Sequence, residues 1–114
     1  MTTLSKIAGH DAASQLFKDR EGAWTATTNI DLGDGKRRLD ISTTKGSRGE
    51  IATMVWAVEP TEYGFTHVMF QDFEMTIRGE KVRATEKSVK TAHDKVMESA
   101  EALISAAKAH YAKA

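Results

Sequence analysis

From Ile51 to Phe70, apolar residues occupy both sides of an alternating pattern. Ala52, Met54, Trp56 and Val58 interleave with Ile51, Thr53, Val55 and Ala57; after Pro60, Tyr63, Phe65 and Met69 interleave with Thr66, Val68 and Phe70. A two-residue period is that of a β-strand, and a strand with one face in water alternates apolar with polar residues. Apolarity on both faces therefore predicts strands that are covered on both sides.

The neighbouring segments carry simpler patterns. In residues 24–32, Trp24, Ala26, Thr28, Ile30 and Leu32 alternate with Thr25, Thr27, Asn29 and Asp31. Asp34-Gly35 follows, a pair suited to a two-residue hairpin because both positions must adopt positive φ. Centring the turn there sets Ile30 opposite Leu39, Thr28 opposite Ile41, Ala26 opposite Thr43 and Asp31 opposite Arg38. Gly46 to Gly49 reads as a loop, and Pro60 as the first central residue of a turn after a strand over 51–58. That turn would set Trp56 opposite Phe65, Met54 opposite His67 and Val58 opposite Tyr63. From Tyr63 the odd positions remain mostly apolar through Phe73, Met75 and Ile77, interrupted by Gln71, so one long strand, bent by a bulge near Gln71–Asp72, is expected. A turn at Gly79-Glu80 would then pair Ile77 with Val82 and Met75 with Ala84.

Helical periods mark the two ends. Residues 10–21 read as a short helix capped by Asp11, anchored by Leu16 and Phe17 and stopped by Gly22, with Leu4 and Ile7 extending it. From Thr85 or Ser88 to about Tyr111, one arc at helical spacing collects Val89, Ala92, His93, Val96, Leu103, Ile104, Ala107 and Tyr111. A second arc of small residues, Ser99, Ala102, Ala106 and Ala109, suits close approach of another helix. The expected fold class is α+β in a single domain over 1–114. It comprises a short N-terminal helix, an antiparallel four- to five-stranded meander, and a long C-terminal amphipathic helix packed on one sheet face.

Composition changes this picture little. Hydrophobic residues at 40% and charged residues at 28% fit a folded globular chain and not a disordered one. Net charge is zero, so no overall field favours nucleic acid or an anionic membrane. The zero conceals blocks: residues 36–48 and 78–95 are mainly basic, while 49–77 hold five acids and no Lys or Arg. Complementary neighbouring strands are the plain reading of such blocks, and a two-signed surface that orients a partner is the sharper one. The absence of cysteine removes disulfides and thiolate chemistry and fits a reducing compartment, so a cytoplasmic setting is expected. Residues 1–17 lack the basic start and apolar core of a secretory signal, and no apolar run nears the ~20 residues of a membrane span.

The search for chemistry returns no catalytic, cofactor-binding or metal-binding set. His10, His67, His93 and His110 show no ligand spacing, and Gly33-Asp34-Gly35 and Gly46-Ser47-Arg48-Gly49 lack the form of a phosphate loop. His93 falls within the apolar arc of the helix and reads as a packed histidine. Basic residues do not interleave with aromatic ones, which speaks against nucleic acid.

Functional expectation therefore rests on cover. One helix shields one sheet face and leaves Met54, Trp56, Tyr63, Phe65, His67 and Met69 in want of a lid. The leading expectation is a non-enzymatic protein-interaction or assembly module, pairing with itself as a homodimer or with another protein. The alternative is a small apolar-ligand-binding protein, or an enzyme derived from one, with a pocket between a curved sheet and the C-terminal helix and with His67 in its wall. In a third reading the N-terminal helix covers the second face unaided.

Overall fold

The computed structural model describes residues 2–33, 36–46, 48–61, 64–68 and 75–112, with side chains described outside 60–77. Among the described residues, seven strands form one antiparallel sheet: β1 (Thr2–Ile7), β2 (His10–Lys18), β3 (Trp24–Asp31), β4 (Arg38–Lys45), β5 (Ile51–Thr61), β6 (Gly64–Val68) and β7 (Met75–Arg78). Two helices follow, α1 (Glu86–Met97) and α2 (Ala100–Ala112). The α+β class is as expected; the antiparallel meander runs from β1 to β6, and β7 pairs with β5 off that path.

The N-terminal helix is absent. Residues 2–18 form a hairpin whose turn, Ala8-Gly9, has φ of 50° and 83° at its two central positions. Two successive left-handed residues close a tight hairpin and cannot continue a right-handed helix. β2 then pairs along β3, Ser14 opposite Thr28 and Leu16 opposite Ala26, and His10 Nδ1 lies 2.9 Å from the Asp31 carbonyl oxygen. Asp11 caps nothing; it pairs with Lys6 at 2.6 Å. These strands widen the sheet instead of covering it, which removes the third reading.

The β3–β4 register is the one expected, Ile30 opposite Leu39 and Thr28 opposite Ile41, with the turn residues Asp34 and Gly35 outside the described residues. The register after Pro60 is corrected. Pro60 belongs to β5 opposite Phe65, and His67 lies opposite Val58, four residues out of step with the expected pairing. β4 pairs with β5 only as far as Val58, so Pro60 stands where one edge of β5 is unpaired and its missing N–H is tolerated. Within the span expected to be one long strand, β6 and β7 pair with successive parts of β5, Ala57 opposite Val68 and Thr53 opposite Ile77, and residues 69–74 between them lie outside the described residues. Gln71 and Asp72, where a bulge was expected, lie outside the described residues. Val82 and Ala84 form no strand with β7, because Gly79 and Glu80 bond back to Ile51 at 2.7 and 3.1 Å.

The C-terminal helix starts at Thr85, whose side chain and that of Ser88 cap each other's backbone amides. It is broken at Glu98–Ser99, where Ser99 N–H donates to Val96 O at 2.9 Å. A straight helix over 86–112 would run about 40 Å, longer than the strands beneath it, so the break keeps the apolar arc on the twisted sheet. That arc buries Val96, Leu103, Ile104, Ala107 and Tyr111 against Ile30, Leu39, Ile41, Val55 and Ala57, and Val89 against Ala26, Ile51 and Ala84. Both helices thus cover the sheet face that carries Val55; on the face they leave, Met54 is exposed, Trp56 half-buried, and Ala52 and Val58 buried. Charge complementarity between blocks appears as Arg37–Glu59 at 3.6 Å and as the Arg78–Glu50 pair.

Leu39→Ala removes a fully buried side chain and should cost about 2–5 kcal/mol in urea unfolding, whereas Leu4→Ala, at 80% exposure, should shift stability by less than about 0.5 kcal/mol.

Candidate functional site

Between sheet and helices runs a line of hydroxyls with one imidazole at its centre. Ser14 Oγ lies 3.0 Å from Thr28 Oγ1, which is 2.7 Å from His93 Nε2; His93 Nδ1 is 2.8 Å from Thr43 Oγ1, itself 2.7 Å from Thr53 Oγ1. These five residues come from β2, β3, α1, β4 and β5, so the line crosses four strands. The strand register produces it: Ser14 sits directly opposite Thr28, and Thr43 directly opposite Thr53. His93 is 5% exposed, and both of its nitrogens are bonded.

A neutral imidazole has one N–H and one lone pair, so it donates to one hydroxyl and accepts from the other. Either tautomer completes the line, with the hydroxyls turned in opposite senses. Asp94 takes no part, because its carboxylate accepts from Lys90 Nζ at 2.7 Å. Ser14, His93 and Asp94 are therefore no catalytic triad, since a base in such a triad keeps one nitrogen for the nucleophile and one for the carboxylate. Burial pushes the His93 imidazole below its ordinary pKa, with Asp94 acting in the other direction.

On the β5 side of α1, the helices and sheet diverge into a cleft of about 500 Å³. Its floor is Ile51, Thr53, Val96 and Leu103, all buried, with Ala92 half-buried beside them. Arg78, Gly79, Lys95, Ser99 and Ala102 are exposed and form the rim. The break between α1 and α2 places Ser99 and Ala102 at this opening. Among the described residues, two cations and no acid line the cleft. Arg78 is engaged by Glu50, a buried carboxylate held below its usual pKa by its own backbone amide and then by Arg78. Gly46 leaves the space this carboxylate occupies, which a Cβ there would fill. On the far side of α1, a more open groove of about 350 Å³ reaches Ser14, Thr28 and His93.

The residues singled out from the sequence lie elsewhere. Met54 is 40% exposed and Trp56 half-buried, both on the open sheet face. Phe65 and His67 occupy β6 opposite Pro60 and Val58, so neither meets Trp56 or Met54 as its direct partner. Tyr63 and Met69 lie outside the described residues. The cleft residues were not singled out, although the small-residue arc holding Ser99 and Ala102 was a signal for close approach by something other than the sheet. Among the described residues no group of three or more His, Asp or Glu side chains is placed to hold a metal ion, and no helix is long and apolar enough to cross a membrane. Comparison with protein-family profiles, curated proteins and solved structures yields no match.

Because the folded state disfavours the imidazolium, the unfolded chain takes up this proton first. The His93 contribution to stability is present above about pH 6.5 and is lost as pH falls below it, well before Glu50 titrates below its own ordinary 4.5. His93→Leu should lower stability at pH 8 by about 1–3 kcal/mol, as two buried hydroxyls lose a partner, and should flatten the decline between pH 6.5 and 5 measured by urea titration.

Proposed function

We propose that this protein binds a small apolar ligand in the cleft between β5 and the two helices. The observation that carries this reading is the cleft itself: a concavity of about 500 Å³ with a buried, mostly apolar floor and a few polar groups at its rim. Sites for small ligands have this size and this composition. The chemistry these residues offer is binding: among the described residues, the buried histidine near the cleft, His93, has both nitrogens committed and is no free general base. A cytoplasmic setting belongs to the same proposal and is supported by the lack of cysteine.

The reading differs from the expected pocket in its walls. The floor comes from the Thr53 face of β5, opposite to the face of Met54 and Trp56. A medium-chain aliphatic compound such as octanol should raise the melting temperature, since ligand at a hundred times its Kd adds about 2.7 kcal/mol to stability. Ala102→Trp, at an exposed rim position, should fill the opening and suppress the shift without unfolding the protein. An equal shift in both proteins would place the ligand elsewhere, and no shift across aliphatic and aromatic probes would reject the proposal.

Self-association is a second reading, favoured by Met54, Trp56 and the 42% exposed Phe17 on the sheet face that the helices leave open. Asp31 and Arg38 are half-buried on that face, and Arg38 pairs with the buried Asp40 at 3.0 Å, so the apolar groups are what it offers a second copy. Its apolar part is narrow, because β3 and β4 present Thr27, Asn29, Ser42 and Thr44 there. Sedimentation velocity at tens of micromolar should show a dimer that Met54→Lys dissociates; a monomer at every concentration would remove this reading.

A further inference from the structure

We infer that the ligand of the β5–helix cleft is an amphipathic anion, an aliphatic chain ending in a carboxylate, bound with its chain on the floor and its charge at Lys95. The inference rests on the cleft being a ligand site and goes on to state the class of ligand. Three observations carry it. First, burial grades the cleft from floor to rim: Ile51, Val96 and Leu103 are buried, whereas Lys95 and Arg78 are exposed. A purely apolar ligand would leave that charged rim unused, and a purely polar one would leave the floor unfilled.

Second, the lining charges are of one sign. Arg78 is neutralised by Glu50, but Lys95 makes no ion pair among the described residues, while Lys90 on the same helix is paired with Asp94. Among the described lining residues an anion at the mouth meets net positive charge, and the one acid beside them, Glu50, is already engaged by Arg78. Third, the polar group of the floor is already engaged, since Thr53 Oγ1 is bonded to Thr43 Oγ1 at 2.7 Å in the hydroxyl line. Anchorage of a polar head therefore falls to the rim, which Lys95 shares with Ser99 at the break between α1 and α2, whose Oγ is a further hydroxyl donor.

A matched pair of probes tests this. Octanoate and octanol share a chain and differ in charge at pH 8, so calorimetric titration of both into the wild-type protein separates head from tail. At low salt octanoate should bind about three- to fivefold more tightly, the range of a solvent-exposed ion pair, and the advantage should shrink as salt is added. Lys95→Gln should erase the preference and Lys95→Glu should reverse it, with octanol affinity unchanged in both variants. Lys95 is exposed and unpaired, so neither substitution endangers folding, and circular dichroism melting would confirm that. Equal binding of the two probes by wild type, or a preference that survives Lys95→Glu, overturns the inference while leaving the cleft as a site for apolar ligands. Failure of both probes to bind rejects the cleft reading and this inference with it.

Discussion

The arrangement of the molecule depends on the His93 imidazole standing between Thr28 and Thr43. Elsewhere the helices meet the sheet through Val, Leu, Ile and Ala, whose contacts are non-directional and would tolerate sliding or rotation of α1. Two hydrogen bonds from opposite sides of one ring do not tolerate it. Displacing α1 along its axis by one residue would separate both nitrogens from their hydroxyls in a site closed to water, where each lost bond is left unreplaced. A polar seam of this kind contributes less to gross stability than an apolar one of equal volume, but it selects a single docking position. With α1 so positioned, the divergence of the helices from the β5–β7 edge follows, and with it the cleft.

The seam has a cost that bears on its placement. Its hydroxyls occupy the middle of the covered face, so the apolar core is divided: Ile30, Leu39, Val55, Leu103 and Ile104 on one side, Ala26, Ile51, Ala84 and Val89 on the other. Each cluster is small for a chain of this length. The extra width from β1 and β2 offsets this by adding Ala12, Leu16 and the half-buried Ile7 to the edges of the two clusters. The N-terminal hairpin is in this sense part of the core's perimeter, although its own outer strand is largely exposed.

Legibility of these features in the sequence followed the strength of local chemistry. The β3–β4 register could be read because a turn pair and an alternating pattern demanded the same pairing, Ile30 with Leu39 and Asp31 with Arg38. The C-terminal arc was legible for the same reason, its 3.6-residue period being sustained over seven turns with Thr85 as cap. The first eighteen residues misled because Asp11 has the chemistry of a cap, Leu16 and Phe17 that of apolar anchors and Gly22 that of a stop, while the positive-φ turn was carried by Ala8-Gly9, a pair with a weaker signature than Asp-Gly. Pro60 misled because proline marks turns in general, and its tolerance in β5 depends on where β4 stops pairing, which no local pattern encodes. His93 could be assigned to the core, but not its partners, since Thr28, Thr43 and Thr53 resemble ordinary strand threonines until register aligns them.

The cleft was the least legible feature, because it is a consequence of angles between elements and not of any residue's preference. What the sequence did hold was the apolarity of β5 on both faces, and the structure divides that surplus. On one face Val55 and Ala57 are sealed by the helices, and Ile51 and Thr53 floor an opening; on the other Met54 stays exposed beside polar neighbours. A surplus of apolar strand surface can be satisfied by a partner or by a guest, and the two differ in shape. A flat face set among threonines and charges gives a partner little to grip, whereas a concave floor gives a narrow guest contact on several sides at once. Thr53 completes the distinction. Its hydroxyl is turned into the seam, so the floor at that point has little polarity to offer, and any charged end of a guest is driven toward the rim.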